Sequence, residues 1–215
     1  MRATAGDVLT QVQRLLGEPA GAYYDMRYRL QRVNQAQLEM VQDSLGQERE
    51  IEVPLAGEEE VVLPDDFLTF GRNQPYFLSP SGHATALRSV DPEFVQGREF
   101  GWEGGPTYLV VDGTRRLRIV PAPSSGTLVV SYVSAPEPLW GEDDEIFGGD
   151  PRLARYSTAL AYKVAAGEMQ AIAPQQAQNY LGLYEREMRH LREATRKNTY
   201  RPQVARTTKF YGRRR

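Results

Sequence analysis

The sequence predicts an α+β fold. It comprises a four-helix bundle made of an N-terminal and a C-terminal helix pair, an antiparallel β-rich domain inserted between the pairs, and an extended C-terminal arm. Three observations lead there. Apolar residues recur at helical spacing near both ends, while the middle consists of short β-prone runs broken by Pro, Gly and Asp. Helices with a single apolar stripe cannot bury it alone, so the economical arrangement packs both pairs together. The final stretch interleaves cations with aromatics and is too polar to own a core.

In the first helix Thr4 is a possible N-cap with Asp7 three residues on, and Val8, Leu9, Val12, Leu15 and Leu16 share one face. Gly17 and Pro19 end it. After a turn containing Gly21, Asp25 opens a longer helix carrying Met26, Leu30, Val33, Leu38, Val41 and Leu45, with Gly46 as its C-terminal stop. Strands are expected at Glu50 to Leu55, Glu60 to Leu63, Ala84 to Val90, Thr107 to Val111, Arg116 to Val120 and Thr127 to Val133. The Asp112-Gly113 step signals a hairpin. Asp91-Pro92-Glu93-Phe94 reads either as a short capped helix or as a plain turn. A Pro-rich, acidic stretch, Ala135 to Asp150, leads out of the β region. Asp150-Pro151 then begins a helix with Leu153, Tyr156, Leu160 and Val164, which ends before Pro174. The last helix runs from about Gln175 to Lys197, with Tyr180, Leu181, Tyr184, Met188 and Leu191 on one side. The expected division is therefore 1–47 with 140–196 as helical bundle, 48–139 as β-rich insert and 197–215 as arm.

At 215 residues the chain suits one large domain or two small ones, and with 40% apolar and 25% charged residues it can build a core. No apolar run approaches the roughly 20 residues of a membrane span. Met1-Arg2-Ala3-Thr4 leads straight into a charged amphipathic segment, so no secretory signal is expected. The absence of cysteine excludes disulfides, thiol nucleophiles and thiolate metal sites. The net charge of −2 conceals an asymmetry: residues 1–196 carry −9 and residues 197–215 carry +7.

Catalytic signatures are sparse. A serine nucleophile needs a histidine base, and only His83 and His190 exist, neither in a recognisable setting. Phosphate-binding loops, nucleophile elbows and paired zinc histidines have no match. No cofactor is expected. The glycines at 97, 101, 104 and 105 lack a strand-then-helix frame and read as loop punctuation, with Phe100 and Trp102 as a possible interaction tip. Glu142, Asp143, Asp144 and Glu145 permit a second reading, a carboxylate-dependent cell-wall glycan hydrolase, which would depend on Asp143 or Asp144. The arm offers more. Lys197, Arg201, Arg206, Lys209, Arg213, Arg214 and Arg215 alternate with Tyr200, Phe210 and Tyr211. Guanidinium groups pair with carboxylates or phosphates and aromatics fill apolar pockets, so the arm is expected to order on a partner. An acidic protein groove and nucleic acid both fit, and a nucleic-acid-binding module is a further reading.

Several segments together resemble a family: DVLTQVQRLLGEP from Asp7 to Pro19, NQAQ from Asn34 to Gln37, VLPDDF from Val62 to Phe67, LRIVPAP from Leu117 to Pro123, and GTLVVSY from Gly126 to Tyr132, followed by a helix pair and a tail. The pattern is similar to the head-to-tail adaptor (connector) proteins of tailed bacteriophages, in particular the tail-tubular-A type of short-tailed phages. The resemblance implies a structural, non-catalytic virion protein of the neck, assembled in the host cytoplasm. It implies a dodecameric ring beneath the portal protein with DNA passing through the lumen. The β-rich part would then face a downstream tail or nozzle protein, with Phe100 and Trp102 as a tail contact, and the arm would dock on the portal. Under that resemblance the anionic body has a use, because an acidic lumen repels phosphate and lets DNA slide.

Overall fold

The computed structural model describes residues 2–17, 26–97 and 105–197. The fold is α+β. Helix α1 (Ala5–Leu16) starts as its sequence predicts: the Thr4 hydroxyl accepts from Asp7 N at 3.3 Å and the Asp7 carboxylate accepts from Thr4 N at 3.0 Å. Gly17, at φ 67°, closes the other end in the left-handed conformation. The expected turn at Gly21 and the Asp25 start of the next helix lie outside the described residues. Helix α2 (Met26–Ser44) ends differently from expectation. Leu45 takes the left-handed position, at φ 52°. Gly46 serves instead as a point of close approach, since a Cβ there would stand 2.7 Å from Leu153 Cδ2 and 2.9 Å from Ser44 Oγ.

The β region forms two sheets. In the first, β9 (Gly126–Ser134) is the central strand. It pairs from Gly126 to Val133 with β1 (Glu48–Leu55) on one side, and with β3 (Phe67–Phe70) and β4 (Tyr76–Leu78) on the other, β4 in turn carrying β5 (Ala84–Ala86). The second sheet runs β2 (Glu60–Val62), β8 (Arg116–Val120), β7 (Tyr108–Asp112), β6 (Arg88–Val90). Its β7–β8 hairpin forms where the Asp112-Gly113 step signals it, Asp112 pairing with Arg116 across a three-residue loop that opens at Gly113, φ 71°. All pairings are antiparallel except β6 with β7, which is parallel. The single strand expected from Ala84 to Val90 is two strands in two sheets, divided at Leu87, a fully buried residue of the β core. β3 and β4 were not expected: at four and three residues they are too short to show alternation. Asp91-Pro92 resolves as the short helix α3 (Pro92–Val95), although the Asp91 side chain makes no cap bond.

Beyond β9 the linker passes through a 3-10 turn (Ile146–Gly149) into α4 (Pro151–Ala154), α5 (Ser157–Met169) and α6 (Pro174–Lys197). The helix expected to run on from Pro151 breaks at Tyr156, whose φ −98° and ψ 21° are non-helical. No glycine or proline marks that break, so the apolar period ran through it. α5 is buried nearly all round by Ala159, Leu160, Ala161, Val164, Ala165 and Ala166, and its small side chains let α1, α2 and α6 pack around it. One core joins all four long helices, from Val8 and Val12 through Leu30, Val33 and Met40 to Leu160, Met188 and Leu191, and takes in Val133 of β9 and Leu139 of the linker. A second core, including Phe77, Leu87, Leu109, Leu117, Ile119 and Leu128, fills the β region.

Candidate functional site

The two cores meet where α2 and α6 end, and the meeting point is organised by Gly71 and Arg72. A Cβ at Gly71 would collide with the Ser131 hydroxyl and the Glu48 carboxylate, so only glycine lets the chain lie against β9, where Gly71 N donates to Ser131 O at 2.8 Å. Glu48 Oε1 accepts from Arg72 N and from Ser131 Oγ, both at 2.6 Å. With its backbone pinned, Arg72 reaches across to the helices. Nη1 donates to Thr195 O at 2.6 Å, while Nη2 donates to Thr195 Oγ1 at 2.9 Å and to Ser44 O at 3.0 Å. The last carbonyls of a helix have no intrahelical donor and carry partial negative charge. One planar guanidinium therefore serves the C-terminal ends of two helices at once. Thr195 Oγ1 lies 3.2 Å from Ser44 O, and Arg192 Nε donates to Asp43 O at 3.3 Å, tying α6 to α2 a second time. Beside this clasp lies a groove of about 370 Å³ with Leu45, Leu153 and Leu191 on its apolar side and Glu48, Arg49 and Arg155 at its polar side. Residues 198–215 follow directly from the helix end held here.

A second polar junction fixes the linker. Asn34 donates through Nδ2 to Leu139 O at 3.0 Å and accepts from Leu139 N at 2.7 Å, so one amide satisfies both backbone groups of that residue. Gln37 donates to Glu137 O at 3.0 Å and accepts from Phe147 N at 3.2 Å. The NQAQ step is thus the part of α2 that receives the linker.

The acidic run is employed in the same way. Its backbone carbonyls cap α1, with Ala5 N donating to Asp144 O at 2.9 Å and Gly6 N to Glu142 O at 2.8 Å. Glu145 pairs with Arg2 at 2.7 Å. The Asp144 carboxylate accepts from Trp140 N at 2.6 Å and Gly141 N at 2.8 Å. The Trp140 bond, followed by the Gly141 bond, holds its pKa below the usual carboxylate value. A glycosidase acid needs the opposite shift, so Asp144 suits a structural cap and not proton donation.

His83 and His190 are exposed, on a loop and on α6. Among the described residues no group of three or more His, Asp or Glu is placed to hold a metal ion, and no helix is long and apolar enough to cross a membrane. Phe100 and Trp102, the Lys197 side chain, and Tyr200, Arg201, Arg206, Lys209, Phe210, Tyr211, Arg213, Arg214 and Arg215 lie outside the described residues. Sequence reasoning missed Arg72 and Thr195. Arg72 lies between strands, and Thr195, one turn beyond Leu191 on the buried stripe of α6, is polar, so nothing local signals a contact across that separation. Asn34 and Gln37 carry no local signal of their role beyond the NQAQ resemblance.

No curated protein matches the chain. A family model described as SU10 adaptor protein matches residues 3–207, which include all the helices and strands described above. The match agrees with the phage-adaptor resemblance read from the sequence and does not extend to the tail-tubular-A type. With nearly the whole chain covered, the protein belongs to the SU10 adaptor protein family.

Proposed function

We propose that this chain is the subunit of an oligomeric head-to-tail adaptor ring, a structural virion component that joins the portal to the tail of a phage and lets DNA pass. In this reading 1–47 and 140–196 build the ring, 48–139 faces the tail components, and 197–215 is the arm that docks on the portal. Membership of an adaptor family points to such a structural, non-catalytic role.

The observation that carries the reading is the Arg72 clasp. An arm with few apolar residues gains little if its root wanders, because docking must then also offset the ordering of the helix end. Here the root is fixed in advance, with Thr195 bonded to Arg72 and beside Ser44. Docking would cost the arm its conformational freedom, offset by guanidinium pairing and aromatic burial. Repetition around a ring would turn modest single contacts into a durable joint through avidity. The −9 charge of residues 1–196 suits a lumen that does not hold DNA.

The test is capture of the full-length chain on its portal, compared with a chain lacking Lys197–Arg215. Loss of capture, with the circular dichroism of the helical body preserved, is the expected result. Undiminished capture of the truncated chain would overturn the proposal.

A further inference from the structure

Trp140 is the most exposed large apolar side chain among the described residues, at 84%. Nothing about its backbone is loose. Its N–H and that of Gly141 donate to the Asp144 carboxylate, and the preceding Leu139 is buried and held at both backbone groups by Asn34. The loop therefore presents an indole to water on a fixed support, the disposition of an interface anchor. Trp140 borders a groove of about 480 Å³ whose other walls include Glu137, Asp144 and Glu145. Glu142 and Asp143 stand exposed on the adjoining turn, and Arg2 pairs with Glu145.

An indole face attracts a cation, and nearby carboxylates can take its N–H donors in the plane of a guanidinium. Phosphate would be repelled, and a purely apolar peptide would leave the carboxylates desolvated without partners. The chemistry of the groove thus suits an arginine side chain.

We propose that in the free chain this groove is occupied by the chain's own C-terminal arm, with Arg213, Arg214 and Arg215 seated against Trp140 and the surrounding carboxylates. Residues 198–215 carry six cations and no anion, together with Tyr200, Phe210 and Tyr211, which complements an acidic rim around an aromatic. The reach is sufficient. α6 ends beside Ser44, and Trp140 is anchored next to Asn34, about 15 Å back along α2 at the helical rise. The 18 residues beyond Lys197 can extend to roughly 60 Å. A tether of that length supplies the arm at high effective concentration, on the order of millimolar, before any other macromolecule is met. Parking there would keep the arm's cations off nucleic acid and release them only to a surface that binds them better. This inference deepens the portal-arm reading. Its test needs no portal, so the two fail separately.

The experiment uses the full-length chain with Trp102→Phe, which leaves Trp140 as the sole indole, and measures quenching by acrylamide. Protection of Trp140 several-fold beyond that of a free tryptophan analogue is expected at low salt. It should be independent of protein concentration and lost both at high salt and in the Arg213→Glu, Arg214→Glu, Arg215→Glu variant. Equal quenching with and without the charge reversal overturns the proposal. Protection that grows with protein concentration also overturns it, by assigning the site to a second copy. If Trp102→Phe does not fold, 5-fluorotryptophan labelling of the unaltered sequence gives the same reading, the Trp140 resonance being identified by its loss in Trp140→Phe. Its chemical shift should then respond to the arm charge reversal, and an unmoved resonance overturns the proposal.

Discussion

The guanidinium of Arg72 donates to both the carbonyl and the hydroxyl of Thr195, at 2.6 and 2.9 Å, across 123 positions of sequence. The β region thereby holds the end of α6, after which residues 198–215 follow in sequence. A third bond, to Ser44 O, brings in the end of α2.

Arg72→Ala should cost about 2–3 kcal/mol, because it removes charge-assisted bonds to helix-end carbonyls that have no intrahelical donor. The check is the urea midpoint, together with faster amide exchange in the last turn of α6. Arg72→Lys should recover only part of the loss, since an ammonium cannot fork in the plane of three acceptors.

Gly71→Ala should reach the same state from a different direction. Its Cβ would collide with the Ser131 hydroxyl and the Glu48 carboxylate, the two groups that position Arg72. A loss of about 1–3 kcal/mol is expected from the overpacking. Exchange in the last turn of α6 should rise as it does in Arg72→Ala. Unchanged exchange would show that the clasp does not depend on this close approach.

Asn34→Ala should cost about 2 kcal/mol by leaving both backbone groups of Leu139 unsatisfied. Asn34→Asp keeps the acceptor and loses the donor, so denaturant melts should place it between the two.

Tyr184 carries the pH prediction. Burial pushes its phenol up to about 12, with Asp43 and Glu39 adding to the effect, and among the described residues its hydroxyl has no hydrogen-bond partner. Because the folded pKa lies above the unfolded value of 10.0, its stabilising contribution is complete below about pH 10 and is lost as pH rises through 12. Tyr184→Phe should be neutral or up to about 1 kcal/mol stabilising at pH 7. It should also flatten the loss of stability on the alkaline side, as read by urea unfolding at a series of pH values.

Glu168→Ala should be among the most damaging single changes, at about 3–5 kcal/mol. It takes the carboxylate away from Arg29, 3.9 Å distant, with both residues buried between α2 and α5. The double change Arg29→Met with Glu168→Leu should recover most of that stability in thermal unfolding. A milder single than double variant would overturn the account.

Where a feature is local, the sequence carried it. The Thr4–Asp7 box, the glycine stop at Gly17, the Asp112-Gly113 hairpin and the apolar periods of the long helices each depend on residues within a turn or two, and each is found. Features lacking a local cue were lost: the kink at Tyr156, the left-handed Leu45 in place of Gly46, and strands β3 and β4, which exist because β9 offers them an edge. The functional reading divides in the same way. Composition alone singled out residues 197–215, through their charge and aromatics, and the family match spans most of the chain.

By itself, the sequence determined the α+β class, helices at both ends with a strand-rich middle, and a cationic terminus set against an acidic body. These follow from spacing and composition, which any reader of a linear chain can count. Only the tertiary structure decided that Arg72 clasps Thr195 and Ser44, that Asn34 and Gln37 receive the linker, and that the acidic run caps α1 and holds Trp140 out to water. The reason is physical. Each of these bonds satisfies a backbone group that no helix or strand ladder pairs, and which side chain comes to lie there is set by how the two cores pack against each other.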